Sequence, residues 1–539
     1  MRRGILLVLS IITIGLMAGC NDDLEPTGIK TKEPEEDTVT NTEYVIPTYA
    51  DDYSSISAWS DREEWNLANV HDPSVVFDGD YYYMYATNAS YGNAHVGHGN
   101  FHGRRSKDLV NWTYIGASMP ETPSWVKDSL NNIRAGLGLD PIANPQYGHW
   151  APVVRKVGNV YRMYYCIIID NFIGNGQPNS EANFDNTWTE RAFIGMMETT
   201  DLSSNDWEDK GMVVCSVSDL GKDWSRSSYC CDWSGYFKYN AIDPSYVVTP
   251  EGQHWMFYGS WHSGIAAIQI NPETGLPLND FDINDEDSWG TPIYTRTDGS
   301  RWQASEGPEI MYNAETGYYY LFMAYDELSV AYNTRVARSE NVTGPYKSYN
   351  GSTVTDGGDI YPIVTHPYKF SDHSGWVGFS HNALFQQEET GDWFYASQAR
   401  LPANTGGNAF SNAIMMGHVR KIRWTEDGWP VVMPERYTGA PEETLEDDDF
   451  VGEWEMITLR YQYQTQQTSV ALTLGGDNQA SGALTGEWSF DSSSNVLTVG
   501  DTKLYVEREV DWEAEPRVLT LIFAGLNSTG ESIWGKKSE

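Results

Sequence analysis

One short phrase returns five times along the chain, and little else in the sequence limits the fold so tightly. A polar or aromatic head stands at a Pro or Asn, a strand-like apolar run follows, a tight turn interrupts it, and a second, aromatic-rich run completes the unit. His71-Asp72-Pro73-Ser74-Val75-Val76 leads through Asp78-Gly79-Asp80 into residues 81–85. Trp150-Ala151-Pro152 leads through Val157-Gly158-Asn159 into 161–165, and Ile242-Asp243-Pro244-Ser245 through Pro250-Glu251-Gly252 into 254–258. Ser305-Glu306-Gly307-Pro308 leads through residues 313–317 into 318–324, and His381-Asn382-Ala383 through Glu389-Thr390-Gly391-Asp392 into 393–396. The copies lie roughly 60 to 90 residues apart, and such a periodic run of small sheets is the signature of a β-propeller.

Five copies predict five blades in an all-β fold. The innermost strand of each blade starts at the axis, so the residues heading those strands converge on one pocket. Three heads carry Asp72, Asp243 and Glu306, read as equivalent positions of the repeat. Glu306 is expected at the lip of a sheet, where Gly307 bends the backbone and Pro308 withholds a ladder donor. A single Asp-Pro or Glu-Gly-Pro is ordinary turn chemistry; three at repeat heads point to acid–base work. Glycoside hydrolysis fits, with one carboxylic acid protonating the leaving oxygen and a carboxylate opposite. A third acidic group can hold the donor's pKa up by repulsion.

The flanks divide the chain. Residues 1–19 read as a lipoprotein signal peptide, with Arg2-Arg3, an apolar stretch too short to span a bilayer, and Leu16-Met17-Ala18-Gly19-Cys20, which places lipidation on Cys20. Residues 20–45 form an acidic flexible linker, 46–440 the propeller and 450–539 a small all-β barrel or sandwich. Its strands are expected at 454–461, 469–474, 482–490, 496–499, 503–507 and 518–523. Within the propeller, 88–147 and 171–191 read as long loop-like insertions. The runs 106–112, 199–202 and 337–345 read as edge elements, and 420–430 as the close of the last blade.

Acidic residues outnumber basic ones 75 to 35, a net charge of −40, which argues against nucleic acid and anionic lipid surfaces as partners. The expected membrane tie is the N-terminal anchor alone, on a monomer at the outer membrane of a bacterium, facing the cell surface or the periplasm. Aromatic residues make up 13%, including 21 Trp and 34 Tyr, suited to a propeller core and to flat sugar-binding faces. Cys166 reads as a buried free thiol; Cys215, Cys230 and Cys231 have no pairing legible in sequence.

Taken together, His71-Asp72-Pro73, Trp150-Ala151-Pro152, Ile242-Asp243-Pro244-Ser245, Tyr258-Gly259-Ser260-Trp261, Ser305-Glu306-Gly307-Pro308 and His381-Asn382 resemble glycoside hydrolase family 43, most of all its endo-α-1,5-L-arabinanases. The resemblance covers roughly residues 65–435. It implies an inverting mechanism on arabinan or arabino-oligosaccharides, with Asp72 as general base, Glu306 as general acid and Asp243 tuning the acid and orienting substrate. Inverting pairs stand about 6.5–9.5 Å apart to seat a water. It also implies substrate contacts from His71, Trp150, Asn240, Ser260 and Trp261, and a calcium ion near the axis touched by His381. An exo-acting arabinofuranosidase or xylosidase of the same family, and a non-catalytic surface glycan-binding lipoprotein, stay open at this point.

Overall fold

The computed structural model describes residues 44–538 except 89–93, 170–190, 219–221, 223–236, 263, 296–304, 357–359 and 371–372. The signal peptide, Cys20, nearly all of the linker, Cys230, Cys231 and the insertion after residue 170 lie outside the described residues.

Among the described residues, the propeller strands form five four-stranded antiparallel sheets and the C-terminal strands close into a barrel. Blade one runs Ser74–Phe77, Tyr82–Tyr85, Asn100–Ser106 and Thr113–Met119. Blade two runs Tyr147–Val157, Val160–Ile169, Arg191–Thr199 and Glu208–Cys215. Blade three runs Ser245–Val248, His254–Tyr258, Gly264–Ile270 and Thr291–Thr295. Blade four runs Ser305–Asn313, Tyr318–Tyr325, Asn333–Ser339 and Ile363–Thr365. Blade five runs Val377–Gln386, Trp393–Arg400, Met416–Trp424 and Pro430–Val432. The first strand of each blade packs against the first strands of its two neighbours, so the ring closes.

The aromatic runs form the second strands, and their rings fill the spaces between blades. Tyr83, Tyr85, Tyr164, Tyr165, Tyr320 and Tyr395 are all buried. Residues 88–147 are not merely a loop. They hold blade one's two outer strands and the α-helix Ser124–Gly136, whose Val126, Leu130 and Arg134 are buried at the i, i+4, i+8 spacing of one helix face. The runs at 106–112, 199–202 and 337–345 sit where third strands end and turn toward the edge, rather than being the edge strands.

The C-terminal module is a closed barrel of Gly452–Leu459, Val470–Leu474, Gln479–Gly482, Gly486–Asp491, Val496–Val499, Thr502–Asp511, Val518–Leu526 and Ser532–Lys537. The last strand, absent from the sequence reading, pairs with the first and closes it. The expected strand 482–490 is two, bent at Gly482 and Gly486.

Barrel and propeller share core and hydrogen bonds. Trp534 donates Nε1–H to the Val432 carbonyl (2.6 Å) and Trp512 to that of Arg436 (3.0 Å). Lys536 Nζ lies 3.1, 2.9 and 2.7 Å from carboxylate oxygens of Glu435, Asp511 and Glu513. That acidic trio has the spacing of a metal site, but the Lys536 ammonium already stands among its oxygens as the compensating cation.

Candidate active site

Each inner strand has, just ahead of it or within it, a residue in the left-handed backbone region. Asp72, Ala151, Asp243, Gly307 and His381 have φ of 50°, 41°, 54°, 52° and 52°. For non-glycine residues this conformation costs about 1–2 kcal/mol and survives only where the surroundings enforce it. Side chains from adjacent blades do so. The Asp72 N–H donates to Gln398 Oε1 at the end of blade five (2.7 Å), and the Ala151 N–H to Thr87 Oγ1 after blade one's second strand (2.7 Å). The Asp243 N–H donates to Cys166 Sγ of blade two (3.2 Å), and the Gly307 N–H to Asp243 Oδ2 (3.0 Å).

This register corrects the sequence alignment of the heads. Asp72 and Asp243 are equivalent to each other and to His381, whereas Gly307 occupies the corresponding place in blade four. Glu306 stands one residue earlier, ahead of the register shift between Glu306 and Glu309. A Cβ on Gly307 would come within 3.0 Å of the His381 ring, so glycine is required there by contact as well as by φ.

The side chains meet at the top of the axis. Asp72 Oδ1 lies 2.8 Å from His381 Nδ1 and 3.2 Å from His71 Nε2, and its Oδ2 accepts from Thr87 Oγ1 (2.6 Å). Glu306 Oε2 accepts from Trp261 Nε1 (2.7 Å) and Ser260 Oγ (3.3 Å), and its Oε1 from the Tyr332 hydroxyl (2.5 Å). That hydroxyl is also 3.5 Å from His381 Nδ1. Trp150, 42% exposed, leaves an indole face open to solvent beside the blade-two head. Asn240 has its Oδ1 taken by Ser216 Oγ (2.8 Å), which also receives the Ala241 N–H; this braces the segment leading to Asp243.

Electrostatics separates the carboxyls. Burial disfavours the charge on Asp72, but His381 and His71 outweigh it and hold Asp72 well below the usual carboxylate range. Burial likewise opposes charge on His381, yet Asp72, Asp243 and Glu306 raise it to about 9. His71, buried, is lowered to about 4 and stays neutral. Glu306 and Asp243 go the other way. Burial raises Glu306 despite its hydrogen bonds from Tyr332 and Trp261. Burial and repulsion from Glu306 and Asp72 push Asp243 up to about 7. An ionised carboxylate therefore faces a coupled pair that retains a proton near neutrality.

Below the carboxylates, Glu309 binds Arg155 (2.5 Å) and accepts from Ser245 Oγ (2.6 Å). Between the two levels lies an axial cavity of about 20 Å³ bordered by Asp72, Ser74, Glu309, His381 and Asn382. It has room for one water or ion. Both side-chain polar atoms of Asn382 are buried without a protein hydrogen-bond partner.

The sequence reading missed Thr87, Tyr332 and Gln398. None heads a repeat, and their residue types carry no motif. The one available signal was position, since each follows or ends a second strand, or lies in the loop beyond one, on the site face. Cys166 and Cys215 are buried free thiols, as expected for the first. His95 and His102 stack on each other under Trp65 and Tyr114, and so serve the packing of blade one's rim.

The comparisons with known proteins agree with this geometry. Residues 67–430 match the family described as glycosyl hydrolases family 43, and residues 434–535 match a C-terminal lipocalin-like domain described for that family. The chain belongs to glycosyl hydrolase family 43. It is 27% identical over 504 residues to an extracellular endo-α-(1→5)-L-arabinanase of Thermotoga petrophila, spanning 89% of this chain and 96% of that protein. It is 24% identical over 507 residues to extracellular endo-α-(1→5)-L-arabinanase 2 of Bacillus subtilis, spanning 89% and 95%. The crystal structure of the endo-1,5-α-L-arabinanase from Thermotoga petrophila RKU-1 has the same fold (TM-score 0.65, 24% identity, 88% of this chain and 99% of that one).

Two substitutions are expected to move the Glu306 titration in opposite directions. Tyr332→Phe removes a donor that favours the carboxylate, so the Glu306 pKa rises. Asp243→Asn removes a repelling charge, so it falls. Carboxyl-labelled glutamate followed by NMR across pH 4–9 checks both signs; shifts of the same sign would contradict this account.

Proposed function

We propose that the chain hydrolyses internal α-1,5-L-arabinofuranosidic bonds of arabinan by single displacement with inversion. The observation that carries this reading is the convergence at one end of the propeller axis of Asp72, held by His381 and Thr87 and kept low in pKa, with Glu306, held by Trp261 and Tyr332 and raised by burial. Support for the substrate comes from family membership and from two endo-arabinanase relatives aligned over nearly their whole length.

Asp72, held ionised and oriented by Thr87 and His381, takes a proton from a water as that water attacks the anomeric carbon. The bond from that carbon to the leaving oxygen breaks, and Glu306 gives its proton to the oxygen. Asp243 repels charge on Glu306 and so keeps it protonated until transfer. Trp150 offers an apolar face to a furanose ring, while Ser260 and Trp261 fix the Glu306 oxygen they share.

We further propose a calcium ion at the axial cavity. With Nδ1–H kept on Asp72, His381 would ligate through Nε2 only after giving up its second proton, as in carboxylate–histidine–metal pairs, so that the ion replaces the imidazolium charge. The unpartnered Asn382 amide oxygen and the nearby Glu309 are oxygen donors of the kind calcium takes. When bound, the ion supplies positive charge that offsets repulsion among the carboxylates. For location, we propose an extracellular protein tethered by a lipid on Cys20; Cys20→Ser is expected to abolish fatty-acid labelling and release the protein to the medium. Labelling that persists would overturn this.

Glu306→Gln is expected to lower kcat on arabinan by about 10²–10⁴-fold while sparing an aryl arabinoside with a very good leaving group; Asp72→Asn should silence both. Linear arabinan should yield a ladder of oligosaccharides whose first-formed anomer, seen by proton NMR, is inverted. A single short product would mean exo action, a retained anomer would exclude Asp72 as a water base, and binding without cleavage would mean a lectin-like role. Chelation is expected to lower the Tm and narrow the pH–rate profile, with calcium restoring both and His381→Ala mimicking the chelated state. Elemental analysis showing no metal, together with indifference to chelators, would remove the ion.

A further inference from the structure

The loop that carries Tyr332, residues 326–332 between the second and third strands of blade four, is bolted to the C-terminal barrel. Its base is closed by Asn333, whose Nδ2 donates to the Ala331 carbonyl (2.9 Å), Asp326 Oδ2 (3.2 Å) and the Tyr325 carbonyl (3.3 Å). Both Asp326 and Asn333 are fully buried. Tyr461, in the barrel segment that follows Gly452–Leu459, reaches the base of this loop through Arg335. The Arg335 guanidinium lies over both the Tyr325 ring (4.2 Å) and the Tyr461 ring (4.8 Å), and its Nε donates to Asn333 Oδ1 (2.9 Å).

The same barrel segment grips this face of the propeller at further points. Gln464 Nε2 donates to Glu327 Oε1 (3.0 Å), and the Gln462 N–H to His366 Nε2 (3.3 Å). Gln467–Thr468 pairs in parallel with Tyr368–Lys369. A continuous path therefore runs from the Tyr461 ring through Arg335 and Asn333 to the Ala331 carbonyl beside Tyr332, and from the Tyr332 hydroxyl to Glu306.

We infer that Tyr461 is a positioning residue for the catalytic acid: the C-terminal barrel sets where Tyr332 holds Glu306. The inference rests on the reading of Glu306 as general acid, and gives the barrel a part in the chemistry beyond covering apolar surface. Loss of such bracing misplaces the proton donor. It should therefore slow substrates whose leaving oxygen needs protonation and leave those that do not. A general loss of packing would slow both alike.

The test compares full-length protein with Tyr461→Phe, which keeps a less electron-rich ring under Arg335, and with Tyr461→Ala, which removes the ring. Substrates are debranched arabinan and a pair of aryl arabinotriosides, one with a dinitrophenolate and one with a phenolate leaving group. For Tyr461→Ala, kcat should fall about tenfold on arabinan and on the phenyl substrate, with KM within about twofold and dinitrophenyl turnover nearly unchanged. Tyr461→Phe should show the same selectivity to a smaller degree. On a Glu306→Gln background, Tyr461→Ala should add little.

Equal losses on both aryl substrates, a change in KM alone, or additivity with Glu306→Gln would overturn the inference. If Tyr461→Ala does not fold, Tyr461→Phe and Gln464→Ala carry the same comparison. Failure of the arabinan reading would show separately, as wild-type protein inert on arabinan; the two aryl substrates then decide the positioning role by themselves.

Discussion

Everything at the axis depends on holding five backbone positions in a conformation four of them would not choose. Asp72, Ala151, Asp243 and His381 carry side chains at φ near +50°, where isolated residues rarely sit. Gln398, Thr87 and Cys166 each cap a head belonging to an adjacent blade. The strain is thus offset only when the ring is closed, and closure aims Asp72, Asp243 and His381 at one place. Thr87 ties the two tasks together, because one hydroxyl accepts the Ala151 N–H and donates to the Asp72 carboxylate.

The same closure creates an electrostatic problem. Three carboxyls share one small buried volume, and no arrangement leaves all of them charged at low cost. His381 compensates one, Asp72, and burial keeps a proton on the Asp243–Glu306 pair. That unequal division gives chemically similar groups opposite protonation tendencies, as the proposed base and acid roles require. Lys536 solves a related problem at the barrel junction. There one ammonium lies among Glu435, Asp511 and Glu513, and burial raises Glu435 to about 8. These ions compensate one another across the joint between barrel and propeller.

The barrel is joined to the propeller as part of one core. Trp534, Tyr368 and Phe379 pack within a single cluster that spans both, and the paired strands at 368–369 and 467–468 fix the register between them. The joint reaches the loop of Tyr332 through Gln464 and Glu327, so the surroundings of Glu306 have a contact with the barrel as well as with the propeller.

The sequence alone determined the five-fold repeat, the all-β class and the three carboxyls, since turn residues and aromatic second strands are local signals that repeat. It also marked His381 through its place at a repeat head, and Trp261 through the resemblance of Tyr258-Gly259-Ser260-Trp261 to the family. It misread 88–147 as loop, because abundant Asn and Gly hid the one buried face of the helix Ser124–Gly136. It aligned Glu306 with Asp72 because Glu-Gly-Pro and Asp-Pro look alike as turns; only the strand register exposes the one-residue offset. Thr87, Tyr332, Gln398 and Tyr461 were invisible, being ordinary residue types far from any motif. Their roles come from atoms brought together across blades and across the barrel joint. Such contacts depend on ring closure and side-chain direction in three dimensions, which no local pattern of residues encodes.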